Sequence, residues 1–154
     1  MISKMRRKKK QLSEEKTIEV LVSCAEGVLA TAGPDNSPYA VPLNYVYHKG
    51  SIYFHCADKG HKIDNIEHNS KVSFCVMKDT RVIPEKLTTK FKSVILFGEI
   101  QEVFDEEKEA GLLALVHRFS SDHLDAGKAY IEKLFDKTKV FKINIEHMTG
   151  KGTP

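Results

Sequence analysis

The chain has 154 residues, of which 41% are hydrophobic and 29% are charged, and its formal net charge is +3. These values fit one globular domain and argue against wholesale disorder and against a second domain. Six of the 24 Lys and Arg residues fall within the first ten positions, so the body of the chain is slightly acidic. We predict a basic flexible leader over residues 1–12 and a single domain over 13–154, which makes nucleic acid an unlikely partner.

No apolar run approaches the roughly 20 residues that span a bilayer, and the basic leader is not followed by the apolar stretch of a signal peptide. We therefore expect a soluble, cytoplasmic protein with no membrane partner. The three cysteines, Cys24, Cys56 and Cys75, are odd in number and widely spaced, which argues against a disulfide framework. They are predicted to be small core residues.

The first predicted element is a helix over about residues 13–25, with Ser13 as its N-cap and apolar residues at helical spacing. Gly27 ends that helix, and residues 27–32 read as a short buried strand. The turn formers of residues 33–38 then connect this strand to the next in a hairpin.

Residues 39–47 and 51–57 are predicted as the second and third strands, joined by a turn at His48-Lys49-Gly50. A helix over about residues 61–69 follows, and residues 71–77 read as a fourth strand because they are rich in β-branched and aromatic residues. The mixed charges and Pro84 in residues 79–90 predict an irregular loop.

Residues 91–103 alternate apolar and polar side chains around Gly98, which predicts a long strand with a bulge. Asp105 is expected to cap a helix over about 106–118, and a second helix is expected over 125–135. Residues 140–145 read as the last strand, before a loose tail from Gly150. Six strands with few crossover helices predict a mainly β fold, a small closed antiparallel barrel with helical decoration.

Pro42 lies inside the second predicted strand, where it cannot donate a ladder hydrogen bond. It indicates either an ordinary edge strand or a strand whose free main-chain groups contact a flat heteroaromatic ring beside Val41 and Leu43.

The junction after the third strand has the features of a phosphate site, since Gly60 precedes His61 and Lys62 at a predicted helix start. A surface helix cap with solvated basic residues is the alternative. His55, just upstream, faces either a pocket or the core and becomes a proton donor only with a ligand beside it. No metal site is expected, because His61 and His68 are too far apart in sequence for paired ligation.

Three segments together resemble the pyridoxamine 5′-phosphate oxidase-related, FMN-binding split-barrel family, in its nitroimidazole-reductase or nitroimidazole-resistance branch. They are Gly27-Val28-Leu29-Ala30-Thr31, Tyr39-Ala40-Val41-Pro42-Leu43-Asn44-Tyr45, and Tyr53-Phe54-His55-Cys56-Ala57 with Gly60-His61-Lys62. The leader, the strand around Gly98 and the segment 145–151 extend the resemblance over nearly the full chain.

The resemblance implies a six-stranded antiparallel split barrel that pairs into a homodimer, with FMN in clefts at the subunit interface. Carried over by position, Val41, Pro42, Leu43 and Asn44 would border the isoalloxazine ring. His55, Cys56 and Ala57 would line the floor of the cleft, and His61 and Lys62 would hold the phosphate. A later strand would also approach the cofactor through Ser93, Val94 and Ile95.

The activity implied is an FMN-dependent oxidoreductase that uses NAD(P)H to reduce a small electron-poor substrate such as a nitroimidazole or nitroaromatic, with His55 as a possible catalytic proton donor. The chain lacks a separate arginine-rich substrate motif expected of a true pyridoxamine 5′-phosphate oxidase. The alternative function is a non-catalytic flavin- or haem-binding split-barrel protein.

Overall fold

The computed structural model describes residues 2–153, so Met1 of the predicted leader and Pro154 of the predicted domain lie outside the described residues. The helices are α1 (Glu14–Ser23), α2 (His61–His68), α3 (Asp105–Phe119) and α4 (Leu124–Leu134). The strands are β1 (Glu26–Ala32), β2 (Pro38–Asn44), β3 (Val46–His48), β4 (Ser51–Ala57), β5 (Lys71–Ile83), β6 (Thr88–Val103) and β7 (Thr138–Gly152). None of the helices in residues 2–153 combines the length and apolar character that a membrane crossing requires.

The strands form one antiparallel sheet in the order β2-β1-β5-β6-β7-β4-β3, curled into a half-barrel, which confirms the mainly β prediction. Seven strands replace the predicted six, because residues 39–47 divide at the buried Tyr45. Before that point β2 pairs with β1, and after it β3 pairs with β4 at the opposite edge of the sheet. Within residues 2–153 no ladder joins these two edges. The half-barrel confirms the split barrel that the resemblance implies, whereas the full closure predicted from the strand pattern is wrong.

β5 and β6 form a longer hairpin than the sequence predicts. Arg81–Ile83 pairs with Thr88–Lys90, so the loop predicted over 79–90 is mostly ladder, and only a short 3-10 turn at Pro84–Lys86 joins the strands. The predicted bulge at Gly98 is confirmed by a register shift between Phe97 and Gly98. A Cβ atom on Gly98 would lie 2.1 Å from the Asn144 carbonyl oxygen, so this close approach of two strands requires glycine.

The two chain ends meet beside α1. Gly150 and Gly152 pair with β6, so the predicted loose tail is wrong as far as residue 152. Leu12 donates its backbone N–H to the Gly150 oxygen over 2.9 Å, and Gln11 forms an isolated bridge with Lys151. The flexibility predicted for the leader stays a prediction. α1 has its predicted Ser13 cap, whose hydroxyl accepts from the Lys16 N–H over 3.2 Å.

The cap predicted for α3 is wrong, because Phe104 is the N-cap residue and makes no side-chain capping bond. Asp105 has a φ of 53° and begins the helix instead. The fold buries two apolar clusters on opposite faces of β4. Phe54 and Ile52 belong to the barrel cluster, which includes residues of α1 and α2. Tyr53 belongs to a second cluster that packs against α3.

The three cysteines differ in burial and in the face of the sheet on which they lie. Cys24 is buried, and Cys56 packs in part against the barrel cluster. Cys75 is only partly buried and pairs with Val28 and Ile95, whose side chains are exposed, so its assignment to the core is wrong.

Candidate functional site

The start of α2 has the backbone geometry that the sequence predicts for an anion site. Gly60 is the N-cap residue, with φ 149° and ψ 169°, a conformation essentially restricted to glycine. Ile63 and Asp64 donate their N–H groups back to the Gly60 oxygen, each over 3.1 Å. The N–H groups of His61 and Lys62 have no backbone acceptor within residues 2–153, so they are available to a ligand at the positive end of the helix dipole.

The side chain of His61 contacts β2, and that of Lys62 lies over an aromatic ring of β4. The His61 ring lies 4.5 Å, centroid to centroid, from the ring of Tyr39 on β2. The Lys62 Nζ lies 6.0 Å from the centroid of the Phe54 ring on β4. Lys62 is half-buried, and in the part of the chain that the structure describes it forms no ion pair. A partly desolvated ammonium group without a carboxylate favours an anionic ligand.

A buried hydrogen bond fixes α2 on the sheet. The Asn65 side chain donates from Nδ2 to the Thr31 Oγ1 over 3.0 Å, and both side chains are buried. Ile63 and Ile66 anchor the same helix in the barrel cluster. The sequence analysis missed Asn65, although a polar residue on the apolar face of a short helix was a signal for such an anchor.

β4 places His55 and Cys56 on opposite faces, as the two-residue period of a strand requires. Cys56 packs in part against the barrel cluster, on the same face as Phe54. His55 points the other way and lines a cavity beside α3 and α4. His55 and Cys56, which were predicted to line the floor of one cleft, therefore lie on opposite faces of β4.

Charge and burial around β4 shift the pKa values of both side chains. His55 is exposed by solvent accessibility, but desolvation by the neighbouring atoms of the cavity wall, followed by the positive charge of Lys62, lowers its pKa, so the neutral imidazole predominates at pH 7. Burial raises the pKa of the Cys56 thiol, although Lys62 and Lys139 act in the opposite direction. Cys56 is thus a protonated thiol and a poor nucleophile at neutral pH.

The cavity beside His55 has a volume of about 400 Å³, within the range of small-molecule sites. Six apolar side chains from α3 and α4 contribute to its wall: Leu112, Leu115, Val116, Phe119, Ile131 and Leu134. Asn44, His55, Ser120, Tyr130 and Thr138 complete the lining. The sequence analysis predicted only Asn44 and His55 from this set.

The β2 residues of the predicted site lie on an edge strand, which pairs only with β1, so Pro42 is accommodated as an edge proline. Val41 and Leu43 are half-buried and pack against the barrel cluster, whereas Pro42 is exposed. Asn44 donates from Nδ2 to the Ala25 oxygen over 3.1 Å, which fixes the end of the strand at the rim of the cavity.

The three β6 residues lie near the centre of the sheet. Val94 is fully buried in the barrel cluster, so its side chain is part of the core. Ser93 is half-buried and Ile95 is 46% exposed on the outer face of the sheet. None of the three lines the cavity beside His55. Ala57, on β4, is exposed and pairs with Thr138 of β7.

The sequence model of the family described as "Pyridoxamine 5'-phosphate oxidase" matches residues 13–152. No curated protein matches the chain. Among solved structures, a candidate 5-nitroimidazole antibiotic resistance protein from Bacteroides thetaiotaomicron is 20% identical, with a TM-score of 0.77, and the match covers 92% of this chain and 85% of that one.

Two further solved structures are named as flavin-binding. An FAD-binding protein from Mesorhizobium loti is 25% identical, with a TM-score of 0.65 and coverage of 94% of this chain and 97% of that one. An FAD and haem binding protein from Mycobacterium smegmatis is 19% identical, with a TM-score of 0.82 and coverage of 94% and 73%. At 19% and 20% identity, the Mycobacterium and Bacteroides matches show a shared fold.

Proposed function

The chain belongs to the pyridoxamine 5′-phosphate oxidase family, and from that premise we propose that it is an FMN-dependent oxidoreductase. It reduces a small electron-poor molecule, such as a nitroimidazole or another nitroaromatic, with electrons from NAD(P)H. It works in the cytoplasm as a homodimer. The flavin-binding proteins and the candidate nitroimidazole resistance protein that share its fold support this choice among the activities of the family.

The observation that carries the proposal is the half-buried Lys62 at the start of α2. Its ammonium group and the unpaired N–H groups of His61 and Lys62 provide a point charge and oriented donors, the combination that suits a phosphate monoester. Gly60 leaves open space where a side chain would otherwise stand, since a Cβ atom there would meet nothing within 4 Å. The residues at this helix start therefore fit the phosphate of FMN.

The neighbouring strands can hold the ring system of the cofactor. The outer edge of β2 has main-chain groups that pair with no other strand within residues 2–153, and these can bond to a flat heteroaromatic ring. Val41 and Leu43 supply apolar contacts beside this edge. When bound, the flavin supplies the hydride and electron transfer that side chains cannot perform.

His55 is suited to hold or deliver a proton at its imidazole. Its lowered pKa keeps it neutral at pH 7, so one ring nitrogen bears hydrogen and the other can accept one. It lies on the wall of a cavity large enough for a small organic molecule. Asn44, which also lines the cavity, is held in place by its hydrogen bond to the Ala25 oxygen.

The outer face of the sheet supports the homodimer. The register aligns Pro42, Val28, Cys75, Ile95 and Thr149 in one row across five strands. Val28 is 37% exposed, Ile95 is 46% exposed and Pro42 is exposed, so these three residues give the row apolar surface that is open to solvent. A second copy of the chain would bury this strip and bring a β2 edge to each side of the interface.

The test is a flavin titration followed by an anaerobic assay. The purified chain is titrated with FMN, FAD and riboflavin, and binding is followed by flavin fluorescence and absorbance. Reduction of a nitroimidazole by NADH or NADPH is then measured with the FMN-loaded protein. FMN binding with turnover supports the proposal, whereas binding of flavin or haem without turnover establishes the non-catalytic alternative. A chain that binds no flavin contradicts both flavin functions.

A further inference from the structure

A second concave site lies where the β5–β6 hairpin, the leader and the end of β7 meet. This groove has a volume of about 480 Å³, within the range of small-molecule sites. The hairpin supplies its five apolar side chains, which are Val82, Ile83, Pro84, Leu87 and Phe91. None of the residues that line the groove is among those predicted to contact the flavin.

Three cationic side chains, those of Arg7, Lys10 and Lys151, converge on the groove from opposite ends of the chain. Arg7 and Lys10 flank a 3-10 turn, in which residues three apart lie on the same face, and the Lys10 N–H donates to the Arg7 oxygen over 2.9 Å. Gln11 forms a bridge with Lys151, which holds this turn beside β7. The backbone therefore keeps the three charges close together.

These charges are not neutralised by the protein. Within residues 2–153 none of the three cations forms an ion pair, and no Asp or Glu is among the described residues that line the groove. Lys10 and Lys151 are also half-buried. Like charges that are held together and partly desolvated repel one another, so the arrangement favours a bound anion.

Apolar surface adjoins the cations. The Lys151 Nζ lies 5.5 Å from the centroid of the half-buried Phe91 ring. On the hairpin, Leu87 is 95% exposed and Val82 is 65% exposed. A ligand with an apolar body would remove this surface from water while its charge remained beside the cations.

We infer that the groove binds an amphipathic organic anion, whose negative group meets the three cations and whose apolar part packs against the hairpin. The inference goes beyond the proposed function and does not rest on it. Two sources present this chemistry: a free organic anion and an acidic phospholipid at a bilayer surface. The experiment below distinguishes the two.

The first test is equilibrium dialysis of the purified chain with naphthalene-2-sulfonate, which carries a permanent negative charge on an aromatic body. Naphthalene-2-sulfonamide has a similar shape without the charge, and we expect it to bind at least about tenfold more weakly. Methanesulfonate has the charge without the rings, so it should displace the probe only at a concentration at least about tenfold higher. Added salt should weaken the binding of the sulfonate.

Arg7→Gln and Lys151→Gln should each weaken naphthalene-2-sulfonate binding by at least about threefold and leave FMN affinity unchanged. Arg7 precedes every strand, so its replacement removes no ladder hydrogen bond. Lys90→Gln is the matched control, because Lys90 is exposed on the same hairpin but does not line the groove. Lys62→Ala should also leave the affinity for the sulfonate unchanged, which would separate the groove from the predicted phosphate site.

Cosedimentation with vesicles tests the lipid source and the expectation that the protein has no membrane partner. Binding to phosphatidylglycerol–phosphatidylcholine vesicles that is lost in Arg7→Gln and Lys151→Gln identifies an acidic lipid as the source. Sulfonate binding without vesicle binding identifies a free anion.

Equal affinity for the sulfonate and the sulfonamide overturns the inference, and so does an equal loss of affinity in Lys90→Gln. Failure of the chain to bind either the sulfonate or the anionic vesicles also overturns it. These outcomes are separable from a failure of the proposed function, because FMN binding is measured on the same variants and depends on other residues.

Discussion

The Asn65 side chain donates a hydrogen bond over 3.0 Å to the buried hydroxyl of Thr31, which joins α2 to β1. Asn65 lies three positions after Lys62, so this bond fixes the helix turn that carries the predicted phosphate ligands. The position of the candidate site at the start of α2 therefore depends on the Asn65–Thr31 hydrogen bond.

Replacing Asn65 with Ala should destabilise the fold by about 1–3 kcal/mol, because the Thr31 hydroxyl would be left buried without its donor. Chemical denaturation measures the free energy of unfolding. The double variant with Thr31→Val should cost less than the sum of the two single changes. Additive costs would contradict a direct interaction between the two side chains.

Replacing Lys62 with Ala should weaken FMN binding by about 10- to 100-fold, because a charge-assisted contact to phosphate contributes about 1.5–3 kcal/mol. Riboflavin, which lacks the phosphate, should bind the variant and the parent equally well. Lys59→Ala removes an exposed lysine from the preceding turn and serves as the matched control. Equal losses for FMN and riboflavin would show that Lys62 does not act through the phosphate.

His55 should make stability depend on pH in the acidic range. Partial desolvation of this exposed side chain and the charge of Lys62 depress its folded pKa below the ordinary value of 6.5, so the unfolded chain binds the proton more readily. Its contribution is present above pH 6.5 and is lost as pH falls through the folded pKa. His55→Gln should flatten this part of the profile, as measured by urea denaturation between pH 7 and pH 4. Identical slopes in parent and variant would contradict the shift.

Ile95→Asp should weaken the proposed dimer by at least about tenfold, because it places a charge at the most exposed aliphatic side chain of the row. Sedimentation equilibrium over a range of concentrations gives the dissociation constant. Val82→Asp is the control, since Val82 is also apolar and 65% exposed but lies on the distal part of the β5–β6 hairpin. A dimer weakened by Val82→Asp and unaffected by Ile95→Asp would move the interface to the hairpin.

Gly98→Ala should destabilise the sheet by about 1–3 kcal/mol or more, because the added Cβ atom would collide with the Asn144 carbonyl across the bulge. Thermal unfolding compares this variant with Glu99→Ala, an exposed neighbour on the same strand. Similar melting temperatures for the two variants would mean that the strands separate easily at this position.

The sequence predicted those parts of the fold that depend on local signals. Ser13, Gly60 and Gly98 each act within a few residues, and each has its predicted role as a cap, a helix start or a bulge. The break at Tyr45 escaped prediction because it depends on burial against distant parts of the chain. The pairing within residues 81–90 was missed for a related reason. A segment with mixed charges and a proline is typical of a loop, and its strands become evident only when their pairing partners are known.

The candidate site divides in the same way. The helix start with His61 and Lys62 is contiguous in sequence and was predicted from it. The cavity wall could not be predicted, because apolar residues on α3 and α4 read as ordinary core positions until the packing of the two helices leaves space between them. Leu112 and Leu115 are indeed buried in the second cluster as well as lining the cavity.

The alternation of β4 has a practical consequence for redesign. Since the helical pair from Asp105 to Leu134 covers only one surface of that strand, its side chains could be exchanged to reshape the cavity while the start of α2, where the phosphate site is predicted, kept its geometry. Cofactor binding and the shape of the cavity could then be altered independently in one small protein.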